Sequence, residues 1–137
     1  MPYRFRPLVP MFAMAMLQFE PTAVANQQAE IMVRVSEIEI VSRYLDEYKA
    51  ILKEEAAASI RLEPGVIAIF PMYQKEHPTQ VRILEIYENR KAYESHLQTS
   101  HFQRYKTTTL RMVKSLKLVD MGVVDAETMS RIFRKTP

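Results

Sequence analysis

Between positions 31 and 124 the apolar residues switch repeatedly between a two-residue and a 3.6-residue repeat, and the order of those switches constrains the fold most. Ile31, Val33 and Val35 alternate as in a strand, and Ile38 and Ile40 continue in the opposite phase. The slip between Ser36 and Glu37 predicts a β-bulge. Ser42 is placed as an N-cap. After it Tyr44, Leu45, Tyr48, Ile51, Leu52, Ala56 and Ser59 follow at helical spacing, with Arg43, Asp46, Glu47, Lys49 and Lys53 on the other face. Glu63-Pro64-Gly65 stops that helix. Residues 66–73 form a second strand, nearly all apolar and so expected to be covered on both faces. Residues 75–80 make a hairpin loop and 81–87 a third strand. Asn89 caps a short helix with Ala92, Tyr93, His96 and Leu97. Thr99 caps another, with Phe102, Tyr105, Thr109, Met112, Val113 and Leu116 on one side, and 118–124 is the last strand. The order β-α-β-β-α-β is α+β, the split arrangement of ferredoxin-like folds with helices on one sheet face. No helix is left to cover the other face, so a homodimer packed sheet against sheet is expected.

Composition removes whole classes of function. Two glycines in 137 residues, Gly65 and Gly122, cannot build a dinucleotide or Walker loop. The absence of cysteine rules out disulfides, a thiolate nucleophile, cysteine-ligated zinc and iron–sulfur clusters. A net charge of +3, with Lys and Arg dispersed, is not the clustered basic stripe of a nucleic-acid binder. His77, His96, His101 and Glu85 lack the spacing of a metal motif, so no metal site and no cofactor are expected.

Residues 1–25 differ from the rest. Arg4 and Arg6 precede an apolar run over 8–17, then Glu20-Pro21-Thr22 and the small-x-small Ala23-Val24-Ala25. That is the order of a secretory signal, and the run is about half the ~20 residues of a membrane span. The expectation is a cleaved leader over 1–25, a single domain over 26–137, export to the periplasm and no stable membrane insertion. The alternative is a cytoplasmic protein with an uncleaved amphipathic or disordered tail.

Glu85, Tyr87, His96, Thr99, His101 and Phe102 spell E-x-Y-x8-H-x2-T-x-H-F. With this pattern the sequence resembles the antibiotic-biosynthesis-monooxygenase-like, or quinol-monooxygenase-like, family of dimeric α+β barrels. The turn Leu62-Glu63-Pro64-Gly65-Val66 is similar to that family's helix-to-strand junction, and the likeness spans about 31–124. The resemblance implies a cofactor-independent monooxygenase acting on a small electron-rich aromatic such as a hydroquinone. An isomerase of a small hydroxyketone and a non-catalytic dimer binding a small ligand are the alternatives. The chain has no Trp, which disfavours the haem-degrading chemistry of some relatives.

His96 and His101 lie five apart across a helix-to-helix break, which would turn both rings toward one cavity between helices and sheet. A neutral imidazole there is a usable base for a phenolic hydroxyl, and Glu85 is expected to orient it. A structural role for both histidines, closing helix ends, stays open. Tyr44, Tyr48, Tyr73, Tyr87, Tyr93 and Tyr105 read mainly as core and dimer packing. Of the aromatics, Tyr87, Tyr93, Phe102 and Tyr105 are the ones expected to wall a substrate pocket.

Overall fold

A computed structural model of the chain describes residues 31–125. The expected leader at 1–25 and its cleavage lie outside them. In chain order the elements are β1 (Met32–Ile40), α1 (Leu45–Leu62), β2 (Val66–Tyr73), β3 (Gln80–Tyr87), α2 (Arg90–Leu97), α3 (Ser100–Thr109) and β4 (Val113–Met121). The strands form one antiparallel sheet in the order β2-β3-β1-β4, the ferredoxin-like α+β arrangement. Among the described residues no helix is long and apolar enough to cross a membrane.

The core lies between α1 and one sheet face. Tyr48, Leu52 and Ala56, spaced at helical intervals, meet Ile38, Ile40, Val66, Ile69, Val81, Ile83 and Tyr87 from the strands. Met112, at the turn into β4, closes the same cluster. A smaller group, Val33, Ala68 and Ile86, belongs to the opposite face.

The bulge expected between Ser36 and Glu37 is absent. β1 pairs with β3 in unbroken register from Met32↔Tyr87 to Glu39↔Gln80, and the irregularity against β4 falls between Glu39 and Ile40. The apolar phase changes for another reason. Met32, Arg34, Ser36, Ile38 and Ile40 all face the helices, but Arg34 and Ser36 border a cavity there. Over that stretch only the opposite face, with Val33 and Val35, stays apolar.

Three other expectations change. Ser42 does not cap α1; residues 42–44 make a 3-10 turn, and neither start carries a side-chain cap. The last helix stops at Thr109 instead of running to Leu116, and β4 starts at Val113. A run of three threonines accounts for this. Thr107 and Thr109 donate their hydroxyls back to the carbonyls of Gln103 and Tyr105 at 2.9 and 2.8 Å, loosening the helix where β-branching already disfavours it. β2 is an edge strand, and its Phe70 and Met72 are exposed on the face away from the helices.

Asn89 and Thr99 do cap α2 and α3, accepting from Ala92 N and Phe102 N at 2.8 and 3.3 Å. α2 is held close to the end of α1 by a glycine. A Cβ on Gly65 would come within 2.6 Å of the Ala92 Cβ, while the Gly65 carbonyl accepts from Glu88 N at 2.9 Å. Gly65→Ala is expected to cost about 1–3 kcal/mol of stability by overpacking. In an Ala92→Gly background the same change should cost less, since the clash is with that methyl. Thermal denaturation of the four variants in the cycle checks this, and an equal loss in both backgrounds counts against it.

Candidate active site

Between the helices and the sheet lies a cavity of about 540 Å³. Ile38, Leu52, Ile69 and Ile83 give it apolar walls, and Leu116 and Leu118 of β4, half exposed, border it on the open side. Arg34, Ser36 and Glu85 reach it from the sheet, Glu55 from α1, Tyr93 and His96 from α2, and Phe102 and Tyr105 from α3.

The short helix break positions the histidines. Thr99 donates its hydroxyl to the His96 carbonyl at 2.8 Å and accepts from Phe102 N, so one side chain closes α2 and opens α3. Both rings then converge on Glu63, the residue that terminates α1. Glu63 Oε2 lies 2.9 Å from His96 Nδ1 and 2.6 Å from His101 Nε2. His96 borders the cavity; His101, expected to share it, is not among the lining residues and sits against Glu63 at the helix ends. With Nδ1 donating to a carboxylate, the second nitrogen of His96 is left as an acceptor. That Nε2 has Glu55 Oε1 at 3.7 Å. The ring is wedged between Tyr87 and Phe102, with centroids at 5.5 and 4.8 Å.

Glu85 borders the cavity but touches neither imidazole. It accepts from Ser36 Oγ at 2.5 Å and from Tyr87 OH at 2.8 Å. The orienting carboxylate is Glu63, because the helix junction brings it to the rings while Glu85 is satisfied laterally along the sheet. Tyr87, expected in the pocket wall, is fully buried beneath it with its hydroxyl committed to Glu85. Tyr93, Phe102 and Tyr105 do line the cavity. Tyr105 shares a 2.7 Å hydroxyl contact with Tyr48, and the Tyr93 ring lies 4.5 Å from the Arg34 guanidinium. Arg34 is in turn held by Asp120 at 2.7 Å.

Burial sets the ionisation. It drives the Tyr48 and Tyr87 phenols well above their ordinary value and pushes Tyr105 up to about 12, against the opposing hydrogen bond from Tyr48. The Glu55 carboxyl is raised, chiefly by burial and further by Glu85, although Ser59, His96 and His101 pull the other way. Burial acts upward on Glu63 too, but the hydrogen bonds from His101 and His96 outweigh it and hold that carboxyl below its ordinary value.

Among the described residues Glu55, His96 and His101 present ligand-type atoms within 4.8 Å of one another. Glu63 already engages Nδ1 of one ring and Nε2 of the other, so a metal there would compete with it or use the remaining nitrogens. His77, in the β2–β3 loop, and Glu85 take no part in the cluster.

Residues 31–108 match the antibiotic biosynthesis monooxygenase family. The chain belongs to that family. A solved structure of a candidate antibiotic biosynthesis monooxygenase from Bacteroides thetaiotaomicron is 48% identical, with a TM-score of 0.69 over 70% of this chain and 91% of that one. A similarly described protein from Nitrosomonas europaea (22% identity, TM-score 0.67, 72% of this chain and 95% of that one) shares the fold. One from Caulobacter crescentus does likewise, at 16% identity and a TM-score of 0.67 over 72% of this chain and 93% of that one. No curated protein matches the chain.

The candidate site thus contains residues that sequence spacing did not single out, Glu63, Glu55 and Arg34. Glu63 is testable by acid titration. Its folded carboxyl titrates below the unfolded value of about 4.5, so its contribution is fully present above that pH and is lost as pH falls through the folded value. Glu63→Gln should therefore lower Tm at neutral pH, and the gap to wild type should close as pH falls below the unfolded value of about 4.5 and through the lower folded one. A gap independent of pH would remove the charged Glu63–imidazole contact from the account.

Proposed function

We propose that this chain is a cofactor-independent monooxygenase of a small electron-rich aromatic such as a hydroquinone. The observation that carries the reading is His96, whose Nδ1 is fixed by Glu63 while the ring borders an apolar cavity. Its Nε2 takes the proton of a phenolic hydroxyl. The cavity volume falls within the range of small-ligand sites and suits one or two fused rings. A deprotonated hydroquinone is itself a reductant, so the substrate supplies the electrons that dioxygen accepts. Apolar walls shield the resulting radical pair from water. Glu63 positions His96, and His101 acts through Glu63 as a second hydrogen-bonding partner. Glu85, with Ser36 and Tyr87, forms the polar floor.

His96→Gln keeps a hydrogen-bonding group but cannot take the proton, and should lose ~10²–10⁴-fold in rate. Glu85→Gln should cost less, since Glu85 does not hold the base. Incubation with benzene-1,4-diol and naphthalene-1,4-diol, in air and under argon and against enzyme-free controls, reads the product. Equal product with and without oxygen would exclude the oxygenase. The isomerase alternative, which the proximity of His96 and Glu55 would serve by moving a proton between carbons of a hydroxyketone, would instead bring solvent deuterium into such a substrate without oxygen uptake.

The sheet face opposite the helices is assigned to a second copy of the chain. Phe70, Met72 and Met121 are exposed on it beside Val33, Ala68 and Ile86. Light scattering at micromolar concentration should give twice the chain mass, and Phe70→Lys should shift it toward the monomer with the helical content unchanged. A wild-type monomer under those conditions refutes the sheet-to-sheet dimer.

A further inference from the structure

α1 carries one acid on its buried stripe. Tyr48, Leu52, Ala56 and Ser59 repeat toward the sheet, and Glu55 sits among them, 6% exposed. Ser59, one turn further on, donates to Glu55 Oε1 at 2.7 Å. Glu55 borders the same cavity as His96, and 3.7 Å separates its Oε1 from His96 Nε2. A charged acid on an apolar stripe costs stability unless it is paired, hydrogen-bonded or protonated. The monooxygenase chemistry also calls for a proton donor, because a base alone leaves oxygen as a peroxide anion in an apolar cavity.

Resting on that reading of the site, we propose that Glu55 is its catalytic acid, protonated when substrate enters and delivering its proton to the oxygen derived from dioxygen. The substrate O–H proton passes to His96 Nε2, and a ring carbon bonds dioxygen as its electrons move onto oxygen. Glu55 protonates the terminal oxygen and a hydroperoxide results. The C–H proton at that carbon then passes to the Glu55 carboxylate as the O–O bond breaks, and the departing hydroxide takes the proton from His96. One atom of dioxygen remains on the ring, the other leaves as water, and the substrate, which is the reductant, ends as a hydroxyquinone. Both side chains regain their starting forms.

The surroundings favour a protonated Glu55. Burial and the Glu85 charge act against its carboxylate, and Ser59, His96 and His101 act for it, with the first pair prevailing. Glu63 lies beyond His96, and the phenols of Tyr48, Tyr87 and Tyr105, on α1, β3 and α3, interact electrostatically with Glu55 while their hydroxyls pair with one another or with Glu85. Of the cations at the cavity, Arg34 is committed to Asp120 and Lys106 extends from α3. The Glu85 charge bordering the same cavity disfavours a second charge on Glu55.

The test is Glu55→Gln, which preserves shape and an acceptor for Ser59. With naphthalene-1,4-diol in air, kcat should fall ~10²-fold with little change in KM. In wild type, activity should fall as pH rises through the raised Glu55 value, and this alkaline limb should vanish in Glu55→Gln. Ser59→Ala removes a bond that favours the carboxylate and should move the limb to higher pH. Infrared spectra of wild type at neutral pH should contain a protonated-carboxyl band that Glu55→Gln lacks. Oxygen-dependent product formed by Glu55→Gln at the wild-type rate, or no such band, overturns the proposal alone. No oxygen-dependent product from wild type overturns the monooxygenase reading, and the proposal with it.

Discussion

The Glu63 carboxylate is the point on which the helical layer depends. It ends α1, and it receives Nδ1 of His96 from α2 and Nε2 of His101 from α3. Three helices are therefore tied through one side chain. Burying a carboxylate is unfavourable by itself, but two imidazole donors more than offset it and hold the Glu63 carboxyl below its ordinary value, in its charged form. The geometry follows from small local decisions. Pro64 and Gly65 turn the chain sharply into β2, Gly65 leaves room for Ala92, and Thr99 divides what would be one helix into two. Without that division the rings of His96 and His101, five residues apart, would point to widely different sides of one helix.

Much of the fold was legible because it is written in periodicity. The strand and helix repeats gave the order β-α-β-β-α-β, and the caps at Asn89 and Thr99 were visible as residue types at the right places. The misplaced boundary of α3 had a local cause. Met112, Val113 and Leu116 keep a helical spacing by chance, while Thr107, Thr108 and Thr109 and the pairing of Val113 with Ile40 decide for a turn and a strand. Pairing is a long-range fact that no window on the sequence contains.

The site was legible in its members more than in its wiring. His96, Phe102, Tyr93 and Tyr105 border the cavity, whereas His101 and Tyr87 stand behind its wall. Glu63 was visible only as part of a helix-breaking turn, and its second role depends on where that turn lands in space. A subtler mark was present all along. Arg34, Ser36, Glu55 and Glu85 are polar residues at positions whose neighbours in the same repeat face the core. What reads as a bulge in β1 is the outline of a cavity, since a strand that borders a cavity can carry polar groups on its inward face.

Glu55 and Glu63 bring the fold and the chemistry together. They lie eight residues apart at one end of α1, and they flank the same imidazole. Burial acts on both carboxyls in the same sense, yet their ionisation moves in opposite directions. The difference lies in the donors. Glu63 has direct hydrogen bonds from two rings, whereas Glu55 has a single serine hydroxyl, a ring nitrogen beyond bonding distance and a second carboxyl across the cavity. One helix thus sets an ionised carboxylate behind His96 and a proton-retaining acid in front of it. A base needs the first to fix its proton-bearing nitrogen, and a proton donor is useful only if it resembles the second. Separation of roles by environment, not by residue type, is what allows two glutamates and one histidine to serve both halves of a proton-transfer cycle.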